Sequence, residues 1–311
     1  MAAHIVISGA SGLIGRALAR SLQSDGIAVT ALVRRVSRGS GEAQWDPERG
    51  ELDPAVLAGA DAVVALGGAS VGRLPWTRGY QRTLINSRLD STRTLVTALR
   101  ALGSDAPALV SASAVGFYGS APGETLTEQS PAGDTFLARL CVAWEAEARR
   151  AEDQTRVALL RTAPVIDRGG VLAPLIRLSS LGAGGPLGPG TQIWPWISLD
   201  DEVRAIRHII ESEVSGPVNL TGPTPASAND IVRAVARELH RPFWLPAPTW
   251  ALRLGLSRAA TDSLLVSDAD VRPVVLRETG FTFTHPTAQE AVAAALSAGS
   301  GGGRLAATVR P

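Results

Sequence analysis

Lysine is absent from this sequence: all 30 basic residues, histidine aside, are arginine. That excludes a Schiff-base lysine, a Walker-type phosphate lysine and any Tyr-x-x-x-Lys pair. A single cysteine, Cys141, rules out an internal disulfide and a thiolate zinc site. Four widely spaced histidines give no basis for a histidine-built metal centre, so no metal is expected. Tyrosine is scarce, with Tyr80 and Tyr118 alone. Neither sign of charge dominates: the net charge is +1 over 311 residues, which gives no electrostatic case for nucleic acid as a partner. The longest uncharged stretch, Leu178 to Leu199, is broken by Gly182, Gly184, Gly185, Pro186, Gly188, Pro189, Gly190 and Pro195, a pattern no membrane helix carries. Met1 leads directly into an apolar run without a basic leader, so a reducing cytoplasm is the expected location. What is plentiful is apolar residues, at 45%, enough for a sizeable core.

Periodicity predicts alternating strands and helices. His4 to Ser8, Ile27 to Val33, Ala62 to Leu66, Ala108 to Ser111 and Val157 to Leu160 read as buried strands. Between them, Leu13 to Leu22, Trp76 to Leu102 and Phe136 to Ala148 carry apolar residues at helical spacing. Gln44 to Leu52 reads as a small hairpin, and Asp201 to Glu213 and Ala228 to His240 as further helices. Such alternation implies a doubly wound α/β fold with a parallel Rossmann-type sheet covered on both faces. After the breaker run Leu245-Pro246-Ala247-Pro248 comes a smaller, mainly helical part rich in leucine and arginine. The expected organisation is an α/β domain over 1–240, a C-terminal part over 245–297 and a disordered Gly/Ser-rich tail over 298–311.

Gly9-Ala10-Ser11-Gly12-Leu13-Ile14-Gly15 lies between the first strand and the first helix. Glycines there permit a tight turn and a close backbone approach to a pyrophosphate, and the helix N-terminus offers free N–H groups. Gly9, Ser11, Gly12, Leu13, Ile14 and Gly15 are therefore candidate dinucleotide contacts; a plain structural turn is the alternative. The second strand ends in Val33-Arg34-Arg35 with no acid close in sequence. An arginine at that position accommodates a 2′-phosphate, which favours NADP(H) over NAD(H) and makes Arg34 and Arg35 candidates; the alternative is a solvated strand end. Leu66-Gly67-Gly68-Ala69 follows the third strand, where small residues would let the backbone pass close to the adenosine half.

The pattern resembles the extended short-chain dehydrogenase/reductases, which place a serine after the fourth strand and Tyr-x-x-x-Lys on the next helix. Ser113 matches that serine, but the helix from Asp134 to Cys141 has neither tyrosine nor lysine. Further motifs narrow the resemblance: Trp76-Thr77, Ser87-Arg88 with Ser91-Thr92, Phe136-Leu137 with Cys141 and Trp144-Glu145, Gly169-Gly170, the glycine loop 182–188, and Trp196-Ile197-Ser198-Leu199-Asp200-Asp201. With Gly280-Phe281 and Pro286 they resemble the atypical short-chain dehydrogenases named "epimerase family protein", sometimes described as cell-division inhibitors. The resemblance implies NADP(H) binding and adds Leu66, Gly67, Arg88 and Val165 to Arg34 as cofactor contacts. It supplies no substrate, and Ser198 stands where the family usually has histidine.

Each remaining acid/base candidate has a plainer reading. Cys141 lies on an apolar helical stripe and reads as a core cysteine. Tyr118 cannot take the usual helix position but is kept with Ser113 as a catalytic candidate. Glu145 and Asp134 read as solvated helix positions. Trp194 and Trp196 line a pocket or pack in the core. The expected function is an atypical NADP(H)-binding oxidoreductase or epimerase acting on an unidentified small molecule; the alternative is a non-catalytic NADP(H)-binding regulator. The apolar residues of the C-terminal part are expected to dock over the strand ends, with a homodimer surface as the alternative.

Overall fold

The computed structural model describes residues 4–256 and 258–297; the expected tail at 298–311 lies outside them. The chain alternates strand and helix as the periodicity demands. The first elements are β1 (His4–Ser8), α1 (Leu13–Ser24), β2 (Ala28–Val33), β3 (Glu42–Gln44), β4 (Ala62–Ala65), α2 (Arg78–Leu102) and β5 (Ala108–Ala114). Next come β6 (Thr125–Leu126), α3 (Phe136–Arg149), β7 (Val157–Thr162), β8 (Val165–Ile166), α4 (Leu172–Ser180), β9 (Ile197–Ser198), α5 (Leu199–Glu211), β10 (Gly216–Leu220) and α6 (Ala228–Glu238). The C-terminal part adds α7 (Thr249–Leu256), α8 (Arg258–Leu264), β11 (Asp270–Val271), α9 (Val274–Glu278) and α10 (Ala288–Ser297).

Seven strands form one parallel sheet in the order β10-β7-β5-β4-β1-β2-β3. Parallel strands are buried on both faces, which is why they read as unbroken apolar runs. Ile5, Ile7, Val64, Val110 and Leu160 pack with α1 and α5 on one face. Val6, Val63, Leu109 and Leu159 pack with Leu95, Leu99 and Ala148 of α2 and α3 on the other. Helix starts follow local capping: the side chains of Thr77, Thr135, Ser198 and Ser227 each accept a bond from a first-turn N–H of α2, α3, α5 and α6.

Two details differ from the sequence reading. The hairpin expected at 44–52 is reduced to a single antiparallel bridge, Asp46 to Glu51, because residues 42–44 extend the main sheet as its edge strand. The strand expected to stop at Ser111 runs on to Ala114, so Ser113 lies within β5.

The C-terminal part docks on the α/β unit. Helix α10 packs on α6, α8 packs on α3, and β11 pairs with β6. Leu276 is fully buried there, Leu252, Leu264, Leu265 and Val275 pack against the core, and Leu254 stays exposed. No described helix is long and apolar enough to cross a membrane.

Candidate functional site

The sheet changes winding direction between β1 and β4: the chain leaves β1 toward β2 and β3, and leaves β4 toward β5, β7 and β10. The two loops leaving such neighbours part and open a crevice at the carboxyl ends, where open α/β sheets bind ligands. One is the glycine loop 9–15 and the other is Leu66 to Ala69. Gly9 has φ +77°, and a Cβ there would stand 2.7 Å from the Leu66 carbonyl carbon. A Cβ on Gly15 would collide with the Gly9 carbonyl oxygen. The loop therefore tolerates no side chain at either position. Gly12 begins α1 without any side-chain cap, so first-turn amides remain available to an anion.

The second loop is held from α2. Ser87 Oγ accepts from the Ala69 N–H at 3.0 Å, and Arg88 Nη1 donates to the carbonyls of Ala69 (3.2 Å) and Leu84 (3.0 Å). The Arg88 guanidinium lies 5.1 Å over the Trp144 ring, and burial holds its pKa below the ordinary arginine value. It has no carboxylate partner among the described residues. A partly buried, unpaired guanidinium beside the crevice suits an anionic ligand. Val165 sits in β8, paired with Ile197 of β9, just past the end of β7.

At the end of β2 the two arginines part. Arg34 is exposed and has no carboxylate partner among the described residues. Arg35 is held by Glu42 of β3 in a bidentate pair at 2.7 and 2.5 Å. The acid missing from the neighbouring sequence is thus supplied in space by the edge strand.

Ser113 is 4% exposed, and its hydroxyl donates to Glu145 Oε1 at 2.7 Å. Glu145 is also buried, which corrects its reading as a solvated helix position. Its carboxylate takes two bonds from Arg161 of β7, Nε at 2.8 Å and Nη2 at 2.9 Å. Arg161 Nη1 donates to Tyr118 Oη (2.9 Å), and that hydroxyl donates to Asn219 Oδ1 (2.7 Å). Tyr118, expected as a second acid/base candidate, is instead 3% exposed and committed inside this network. Burial raises its pKa above the ordinary tyrosine value. Burial also pushes the Cys141 thiol up to about 11, so it behaves as a core cysteine. Trp194 and Trp196 pack in the core.

Ser198, where histidine is usual in the resemblance, caps α5 and is met by an imidazole from elsewhere. His285 Nδ1 lies 3.0 Å from Ser198 Oγ. Asp201 accepts the N–H groups of Thr284 (2.7 Å) and His285 (3.1 Å), clasping the C-terminal part to the start of α5.

Four buried polar residues escaped the sequence reading. Arg161 and Asn219 belong to this network, as does Glu128, whose carbonyl accepts from Arg161 and whose Oε1 accepts the Asn219 N–H. Apart from the network, Glu202 of α5 accepts from Thr162. Glu145 carried a usable signal, since Leu137, Cys141 and Glu145 fall four residues apart on one buried stripe. Glu202 carried none, because its burial depends on how α5 meets the sheet.

The sequence model of the NAD dependent epimerase/dehydratase family matches residues 5–221. The chain belongs to this family. A domain of unknown function, DUF1731, matches residues 247–295. Within the family, an epimerase family protein of Mycobacterium tuberculosis is 40% identical over 293 residues, covering 93% of this chain and 96% of its own. Epimerase family protein SDR39U1 of Homo sapiens is 30% identical over 290 residues, covering 91% and 96%. The crystal structure of human SDR39U1 with NADPH superposes with a TM-score of 0.86 at 29% identity, over 94% of this chain and 99% of that one. A nucleoside-diphosphate sugar epimerase from Corynebacterium glutamicum superposes with a TM-score of 0.77 at 32% identity, over 95% of this chain and 58% of that one. The resemblance to the epimerase family proteins and the Rossmann-type fold both hold, and the chain is an epimerase-family NAD(P)-binding protein.

Proposed function

We propose that the protein binds NADP(H) across the β1/β4 crevice and works as an atypical oxidoreductase or epimerase on a small hydroxyl-bearing molecule. The observation that carries the cofactor choice is Arg34, exposed at the end of β2 with no carboxylate partner among the described residues; the human relative crystallised with NADPH supports it. The glycine loop would hold the pyrophosphate, Leu66 and Gly67 the adenosine half, and Val165 the nicotinamide half. The nicotinamide supplies or accepts the hydride. Arg34→Ala is expected to weaken NADPH binding roughly tenfold to a hundredfold, since a charge-assisted bond is worth about 1.5–3 kcal/mol. NADH affinity should stay unchanged. Fluorescence titration of both cofactors checks this, and equal affinities in the wild type overturn the assignment.

Ser113 supports the hydroxyl-bearing substrate class. Its proton goes to the Arg161-paired Glu145 carboxylate, so its Oγ offers lone pairs and accepts from a ligand hydroxyl. Tyr-x-x-x-Lys chemistry has no equivalent here, and general acid/base catalysis is worth ~100–10,000-fold. NADPH oxidation with common sugar-nucleotide or ketone substrates should therefore be slower by a comparable factor than in Tyr–Lys enzymes, and Ser113→Ala should remove what there is. Fast turnover, or full activity in Ser113→Ala, contradicts this role. The commitment of Tyr118 and the high pKa of Cys141 favour a second reading, a non-catalytic NADP(H)-binding regulator. Undetectable turnover despite tight NADPH binding selects it.

A further inference from the structure

We propose that Glu42 tunes the protein's preference for NADPH over NADH by competing with the cofactor's 2′-phosphate for Arg35. The inference rests on the reading above that the ribose end of the cofactor meets the end of β2. The parallel register sets Glu42 opposite Ala31 and Gln44 opposite Val33, so β3 carries a carboxylate alongside the arginine pair. Both oxygens of that carboxylate are engaged: Oε1 takes Arg35 Nη2, and Oε2 takes Arg35 Nη1 and the Arg38 N–H at 2.8 Å. The Ser37 hydroxyl donates to the Glu42 carbonyl at 3.0 Å, which closes the 35–42 loop around the pair. These bonds, the Arg35 pair foremost, hold the Glu42 carboxyl down at about 2, so it stays ionised throughout the physiological range.

A guanidinium presents its N–H groups as a planar fork that fits one carboxylate or one phosphate. With Glu42 on the Nη1/Nη2 edge, Arg35 enters the complex already paired, whereas Arg34 has no carboxylate partner among the described residues and can meet the phosphate as a full cation. Glu42 also places a negative charge beside a group carrying nearly two more. Its effect therefore falls on the 2′-phosphate and spares the 2′-hydroxyl of NADH. The weaker grip should appear mainly as faster NADPH release.

The test is titration of full-length wild type, Glu42→Gln, Arg34→Ala, Arg35→Ala and Glu42→Gln/Arg35→Ala with NADPH and with NADH at low and high salt. Glu42→Gln should tighten NADPH binding roughly threefold to fivefold at low salt, less at high salt because exposed charges are screened. NADH affinity should not move, which also certifies the fold of the variant. The gain should vanish in the double variant, because no Arg35 remains to be released. NADPH affinity unchanged or lowered in Glu42→Gln, while Arg34→Ala weakens NADPH, overturns the proposal alone: Glu42 then has no role or orders Arg35 for the phosphate. If Arg34→Ala leaves the NADPH/NADH ratio intact, the failure belongs to the cofactor reading beneath it, and the proposal falls with it.

Discussion

Replacing Arg161 with Met is expected to cost about 3–5 kcal/mol of folding stability, the usual penalty for stranding one partner of a buried ion pair. Arg161 and Glu145 have side chains 4% and 5% exposed, so water cannot replace the lost partner. Burial opposes the Arg161 charge, but its bonds to Glu145 and Tyr118 hold the guanidinium above its ordinary pKa. Removing it leaves the Glu145 carboxylate with the Ser113 hydroxyl alone and deprives Tyr118 of its donor. The Phe117 ring also loses the guanidinium lying 3.5 Å from its centroid. The double variant Arg161→Met/Glu145→Leu should recover much of the loss, because it leaves no unpaired buried charge. Urea unfolding measures both. A single-variant loss under about 1 kcal/mol would falsify the claim that this pair is dry and tightly coupled.

Glu202→Gln is expected to change how stability depends on pH. Glu202 is fully buried; Thr162 Oγ1 donates to its Oε1 at 2.9 Å, and its Oε2 has no hydrogen-bond partner among the described residues. Burial pushes its pKa up to about 8. The unfolded chain releases this proton near the ordinary glutamate value, about 4.3, whereas the folded chain keeps it until about pH 8. Between those values the folded state binds more protons, so rising pH favours unfolding. The wild type should lose on the order of 1 kcal/mol per pH unit across that window from this group. Below it both states are protonated and the loss vanishes. Glutamine keeps the shape and the acceptor for Thr162 but cannot ionise. Its urea midpoint should match the wild type only below about pH 4, where both states are protonated, and exceed it clearly at about pH 8.5. Parallel pH curves for the two proteins would show that Glu202 titrates normally. Glu202 adjoins Asp201, which clasps residues 284 and 285, so amide exchange in that segment should rise with pH in the wild type first.

The strands and helices of the α/β unit were readable because each announces itself locally. Buried parallel strands show as apolar runs, and capped helices start at Thr77, Thr135, Ser198 and Ser227. The hairpin at 44–52, present as the single Asp46–Glu51 bridge, shows the limit: residues 42–44 pair with β2 because the sheet edge is open there. Glu145 was misplaced for a related reason. A carboxylate on an apolar stripe is costly unless a cation meets it, and nothing near it in sequence advertised Arg161.

By itself the sequence determined the glycine loop between β1 and α1, the doubly wound fold and the absence of a Tyr–Lys pair. These follow from glycine stereochemistry, from periodicity and from residue types that are simply missing. Tertiary structure alone decided which charges are paired. It joined Ser113 to Glu145 and Arg161, Tyr118 to Asn219, Glu42 to Arg35 and Ser198 to His285, contacts separated by up to 101 residues along the chain. Among the described residues it also left Arg34 without a carboxylate partner and Glu202 Oε2 without a hydrogen-bond donor. The reason is physical: burial and charge compensation depend on which faces meet, and a sequence pattern encodes the face each element hides without naming the residue it will hide against.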